Sequence, residues 1–226
     1  MKKIGFIGAY DKTDLIIYIA KLLVENDLKV LVIDSTVLQK TRYTVPCLEP
    51  SKQYITTYED IDIAIGFESL QEIMNYAGTQ EFNQYDIVLI DVDNKENFDS
   101  LEMYTSDKNY FVTAFDNYSL KKGLETIGKT GEKNLMTKVL FSKDINKEEN
   151  EYLNFISFYY AVRWSKEIIY FPFEMGDDSV IVENQRNARI SFKDLSLQYK
   201  EGILTIISQI TPEIRINDVK KMLKNI

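Results

Sequence analysis

Short uninterrupted apolar runs alternate along this chain with longer stretches in which apolar residues recur at helical spacing. Ile4-Gly5-Phe6-Ile7-Gly8 has the compactness of a strand buried on both faces. The segment from Lys12 to Asn26 then places Leu15, Ile16, Ile19, Leu22 and Leu23 on one helical face. Lys29-Val30-Leu31-Val32-Ile33-Asp34 and Tyr85-Asp86-Ile87-Val88-Leu89-Ile90-Asp91 are further apolar runs, each closing on an aspartate. Strands are also predicted at Asn109–Phe115, Met136–Phe141 and Glu167–Phe171, with helices at Glu68–Tyr76, Ser119–Lys129 and Glu148–Trp164. Alternation of Ile61, Ile63 and Ile65 within Tyr54–Phe67 reads as a strand at a sheet edge. The last elements are a helix over Leu195–Ile210 and another from Thr211-Pro212 to Ile226, with Pro212 at its first position. Strands without polar alternation, separated by helices, imply an α/β fold: a doubly wound, mostly parallel sheet with helices on both faces.

Composition narrows the chemistry. At 226 residues the chain is long enough for one domain with its own core, so no disulfide or metal staple is needed. It holds no histidine, which excludes Ser-His-Asp and Cys-His triads and leaves hard cations such as Mg²⁺ as the metals its carboxylates would hold. The lone Cys47 has no partner for an internal disulfide and suits a reducing, cytoplasmic setting. A net charge of −8 argues against a general nucleic-acid coat. The apolar run after Lys2 and Lys3 is too short for a signal peptide or a membrane span.

The first strand runs through Gly8-Ala9-Tyr10-Asp11-Lys12-Thr13 directly into a helix. A helix N-terminus aims free N–H groups at an anion, and a Lys and a Thr at that point are the groups that neutralise terminal phosphates and hold Mg²⁺. Asp34 and Asp91 end strands, where open α/β sheets place their sites. Each feature also has a purely structural reading. Lys12 and Thr13 would simply start a helix with Asp11 or Thr13 as its cap, and the two aspartates would be acids at strand ends. Asp177 and Asp178, before Ser179–Glu183, read as caps rather than ligands, and Phe155, Phe158, Tyr159, Tyr160 and Trp164 as core or interface.

With these motifs in place the chain resembles the ParA/MinD family of deviant-Walker P-loop ATPases. Their loop, Lys-Gly-Gly-x-Gly-Lys-Thr, aligns with Ile7-Gly8-Ala9-Tyr10-Asp11-Lys12-Thr13. The strand ending at Asp34 matches the one that closes on the family's Asp-x-Asp, and the strand ending at Asp91 matches Walker B. Val112-Thr113-Ala114-Phe115 with Ser119-Leu120 resembles the next strand and helix, and Ile168–Phe173 with Asp177–Asn184 the late strand and turn. The resemblance implies a P-loop NTPase-like domain over residues 1–210 and a C-terminal amphipathic helix over 211–226. Gly8, Asp11, Lys12, Thr13, Asp34 and Asp91 would face a nucleotide, and Thr13 and Asp91 would hold Mg²⁺ if ATP binds.

The departures from the family pattern weaken that chemistry. Asp11 replaces the glycine before the Lys, and Ala9 another loop glycine, so side chains crowd a backbone that should touch phosphate. Two like unit charges ~4 Å apart at an effective dielectric of ~20 cost about 4 kcal/mol, unless Lys12 pairs with Asp11 instead of nucleotide. Ile7 stands where the family has its signature lysine, and Thr36 where it has the second Asp of Asp-x-Asp. Asp91-Val92-Asp93-Asn94-Lys95 lacks the glycine of the family's Asp-x-Pro-x-Gly.

The resulting expectation is a degenerate family member without a catalytic residue, a scaffold or positioning factor that binds nucleotide weakly or not at all. The alternative is an active Mg-ATP switch. TadZ-like members, associated with pilus assembly and secretion, also carry altered loops. A homodimer and protein partners of a secretion, pilus or positioning system are the expected associations. The C-terminal helix, with Val219, Met222, Leu223 and Ile226 opposite Lys220, Lys221 and Lys224, would pack on protein or lie on a membrane surface through 212–226.

Overall fold

In the computed structural model, which describes residues 1–47, 52–79, 82–142 and 147–223, the apolar runs assemble into one eight-stranded sheet. Its strands are β1 (Lys2–Ile7), β2 (Val30–Asp34), β3 (Tyr54–Tyr58), β4 (Ile61–Ile65), β5 (Ile87–Val92), β6 (Lys108–Ala114), β7 (Asn134–Ser142) and β8 (Val162–Pro172). They lie in the order β3-β4-β2-β5-β1-β6-β7-β8. Every neighbouring pair is parallel except β3 with β4, an antiparallel hairpin at the edge.

Helices α1 (Thr13–Val24), α2 (Thr41–Thr44), α3 (Leu70–Ala77), α4 (Lys95–Ser100), α5 (Asn117–Ile127), α6 (Lys147–Ile156), α7 (Met175–Arg186), α8 (Leu197–Ile210) and α9 (Ile216–Met222) connect and cover the strands. Side-chain alternation in the central strands divides the interior into two cores. Ile4, Phe6, Val30, Val32, Ile87 and Leu89 pack with α1, α8 and α9. Ile7, Leu31, Ile33, Val88 and Ile90 pack on the other side with α3, α4, α5 and α6. This is the doubly wound architecture that the alternation of apolar runs predicts.

Helix starts are set by local hydrogen bonding. Ser69, Asn94, Asp116 and Ser196 each accept a backbone N–H from the first turn of α3, α4, α5 and α8. Gly78 ends α3 in the left-handed conformation that glycine adopts without a Cβ penalty.

Four expectations need correction. Tyr54–Phe67 holds two strands rather than one, because Glu59 and Asp60 both take positive φ and turn the chain back on itself. The helix predicted over Glu148–Trp164 ends at Ile156; Trp164 belongs to β8, which pairs with β7 from Val162 onward. There the aromatic residues are as well suited to a pleated surface as to a helix, and the partner strand decides. Asp177–Asn184 is helix, not turn, so Asp177 lies in the first turn of α7. Finally, Pro212 falls in a turn in which Ile214 N–H donates to Thr211 O, and α9 begins only at Ile216. Val219 and Leu223 of this last segment are buried in the main core beside α8, while Lys220 and Lys221 are exposed; Lys224 and Ile226 lie outside the described residues. Among the described residues no helix is long and apolar enough to cross a membrane.

Candidate functional site

The carboxyl ends of β1, β2 and β5 converge on the loop of residues 8–13. Gly8 donates its N–H to Val92 O and takes φ +138°, and a Cβ there would come 2.2 Å from Val112 O, so the position admits only glycine. Of residues 8–13, Gly8 alone has positive φ. A backbone nest for an anion is built from successive N–H groups in alternating right- and left-handed conformations, and Ala9 and Asp11 do not supply the left-handed members.

Lys12 occupies the N-cap position of α1 without a side-chain capping bond. Its ammonium turns inward, lying 2.7 Å from Gly8 O and 2.6 Å from Asp91 Oδ1. Both side chains are buried, the lysine 2% and the aspartate 3% exposed. The contact at Asp91 Oδ1 is one of charge and proximity, since the angles of a hydrogen bond are not met there. Burial pushes the Asp91 carboxyl up to about 7, against the pull of the Lys12 ammonium, and the neighbouring Asp34 adds to the rise.

Asp11, expected to compete for Lys12, is engaged elsewhere. Its Oδ1 accepts the Thr13 N–H at 3.2 Å, and its Oδ2 lies 2.6 Å from Lys40 Nζ. Burial raises this carboxyl, but hydrogen bonds from Lys40 and Thr13 outweigh that and hold it below the ordinary carboxylate value. One free donor at the start of α1 is therefore already met by a carboxylate of the chain itself. Lys40 carried no signal in the sequence; it reaches Asp11 because the segment after β2 folds back over the loop.

Asp34 is fully buried at the end of β2. Its Oδ1 accepts the N–H and hydroxyl of Thr36 at 3.0 and 2.6 Å, and its Oδ2 accepts Thr41 N–H at 3.1 Å. It thus shapes the turn into α2, and Thr36 is its partner in that turn. The cavity in front of the loop, about 330 Å³, is lined by Lys12, Thr13, Thr36, Lys40, Asp91 and Asp93 among others, but not by Asp34. Gly8, Asp11, Lys12, Thr13 and Asp91 are therefore brought to one cavity, and Asp34 stands behind it. Asp177 lies apart, its carboxylate accepting the N–H and hydroxyl of Ser196 at 2.6 and 2.7 Å.

In this arrangement the groups expected to meet a Mg-nucleotide are turned toward partners within the chain. The lysine that would meet its phosphates faces Asp91, and the Asp11 carboxylate already takes a helix N–H.

No protein-family model matches the sequence, and no curated protein matches it. Solved structures do match in fold. A ParA family ATPase from Chlorobium tepidum shares 14% identity at a TM-score of 0.61, covering 91% of this chain and 97% of that one. The MinD cell division protein of Aquifex aeolicus shares 14% identity at a TM-score of 0.56, covering 95% and 98%. A plasmid partition protein of Borrelia burgdorferi, bound to AMPPNP, shares 11% identity at a TM-score of 0.55, covering 92% and 98%. The chain has the fold of the MinD and ParA ATPases.

Proposed function

We propose that this chain, built on the MinD/ParA fold, is a scaffold or positioning factor that hydrolyses no ATP and acts through self-association and protein partners. The observation that carries this reading is the buried contact of Lys12 with Asp91 at 2.6 Å. A P-loop lysine works as a point charge on phosphate. Here that charge faces the Walker B carboxylate inside the protein, and extracting it leaves a buried aspartate without its counter-charge. The altered positions support the same reading, as Ile7 and Thr36 lack the lysine and aspartate the resemblance calls for and Asp11 adds a carboxylate where it calls for glycine.

A second reading, a Mg-ATP switch using Lys12, Thr13 and Asp91, is favoured by one observation: the cavity of about 330 Å³ left open before the loop. Calorimetric titration with ATP and Mg²⁺, followed by phosphate-release measurements against a Lys12→Ala control, separates the two. The scaffold reading expects weak or no binding heat and a release rate equal to the control. A rate well above the control, abolished by Lys12→Ala, overturns it.

A further inference from the structure

Helix α6 carries apolar residues on two faces. Its inner face, with Leu153 and Ile156, packs into the core against β7 and β8. Two polar ties fix its rotation: Asn150 and Asn154 each accept from the Lys138 ammonium at 2.5 Å, and Lys138 is buried on β7. The outer face is aromatic. Tyr152 is 44% exposed, and Phe155, Phe158 and Tyr159 are 77%, 70% and 76% exposed. Ser157 N–H donates to Leu153 O and Phe158 N–H to Phe155 O, so the winding continues past Ile156. The four rings therefore share one side at spacings of three and four residues.

A surface helix needs one apolar face, and a second one turned to water marks an interaction surface. At about 150–250 Å² per whole aromatic side chain, these rings leave on the order of 400–650 Å² open. That equals or exceeds the largest apolar patch of an ordinary monomer, about 300–600 Å². It also supplies half or more of the ~800 Å² that each partner contributes to a stable interface.

Charge at the two ends of the row identifies the occupant. Glu148 and Glu151 are exposed at its amino-terminal end. At the other end the exposed Lys129 places its ammonium 5.4 Å from the centre of the Tyr160 ring. A basic peptide would be repelled at the second end, and an anionic lipid surface at the first. A second copy turned end for end matches both. Building on the reading that the chain works through self-association, we infer that the outer face of α6 is a two-fold interface between copies of this chain. The two helices lie antiparallel with Phe155 near the axis, and Glu151 of each copy faces Lys129 of the other. No residue of the loop 8–13 takes part, so association through this face does not require ATP.

The test is sedimentation equilibrium of the full chain at tens of micromolar, with and without ATP. Wild type should be a dimer in both. Phe155→Asp/Tyr159→Ser should raise the dimer dissociation constant about thirtyfold or more, and its circular dichroism melt at low concentration should match wild type, since both positions are exposed. Glu151→Lys and Lys129→Glu should each weaken the dimer about three- to tenfold, and the double reversal should restore it as opposite charges meet again across the axis. If the aromatic variant melts early, the charge reversals decide alone. A dimer that survives all of these changes overturns the α6 interface and leaves self-association through another face standing. A monomeric wild type removes both, and single reversals that the double does not rescue overturn the antiparallel arrangement.

Discussion

Replacing Lys12 with methionine tests whether the lysine is committed to the interior. The substitution keeps the apolar stem and removes only the charge, leaving Asp91 nearly inaccessible with no cation beside it. Removing one partner of a buried ion pair costs about 3–5 kcal/mol. For a chain of this size each kcal/mol moves the melting temperature by about 2–4 °C, so Lys12→Met should melt about 6–20 °C below wild type near neutral pH. The loss should depend on pH with a definite sign. Burial already holds the Asp91 carboxyl at about 7, above its unfolded value of about 3.9, so between those two the folded state binds the extra proton. That contribution to stability is present at acid pH and is lost as pH rises through the folded value. Without Lys12 the folded value climbs further. The deficit of the variant should therefore shrink as pH is lowered from about 7.5 to about 5.5, since a protonated Asp91 needs no counter-charge. Adding Asp91→Asn should restore most of the loss at neutral pH. Circular dichroism melts of wild type, both single variants and the double variant give the cycle directly. A Lys12→Met protein that melts with wild type at both pH values would refute the reasoning, because the wild-type Lys12 ammonium would then not be committed to Asp91 and would be free to meet phosphate.

Asp11→Gly removes the carboxylate that takes the Thr13 N–H and frees Lys40; a gain in ATP affinity without hydrolysis is expected by titration, and unchanged affinity would show that Asp11 does not guard the loop. Leu223→Ala, at a buried position after α9, should cost about 2–5 kcal/mol in a denaturant melt, and wild type should stay in the aqueous fraction in flotation with anionic vesicles. Vesicle binding with an unaltered melt would place the apolar face of α9 on lipid instead. Light scattering at tens of micromolar should find a homodimer with or without ATP, and a monomer in both conditions would remove self-association from the proposed function.

The central strands were legible because β1, β2, β5 and β6 are apolar on both faces, a pattern that few other structures tolerate. The same property made their carboxyl-terminal acids legible as neighbours of one loop. What the pattern does not contain is where a long side chain turns. Lys12 was expected to meet phosphate or Asp11, yet it faces Asp91, a residue 79 positions away brought beside β1 by the parallel register. Lys40 lies in a segment without periodicity, so nothing marked it as the partner of Asp11. The aromatic stretch around Trp164 misled for a different reason: its residues suit helix and strand alike, and only pairing with β7 distinguishes them.

The order of the strands also bears on how the chain is made. The first two strands of the sheet in chain order, β1 and β2, do not touch each other; β5 enters between them and pairs with both. Until residues 87–92 have emerged, the hairpin at one edge can join β2, but the middle of the sheet cannot close. Long-range parallel pairing of this kind is slow and leaves strand edges exposed while it waits. The strand that completes the centre is also the one that delivers Asp91 to Lys12. Formation of that ion pair is thus a molecular timestamp for the moment when the nascent chain first has a closed sheet.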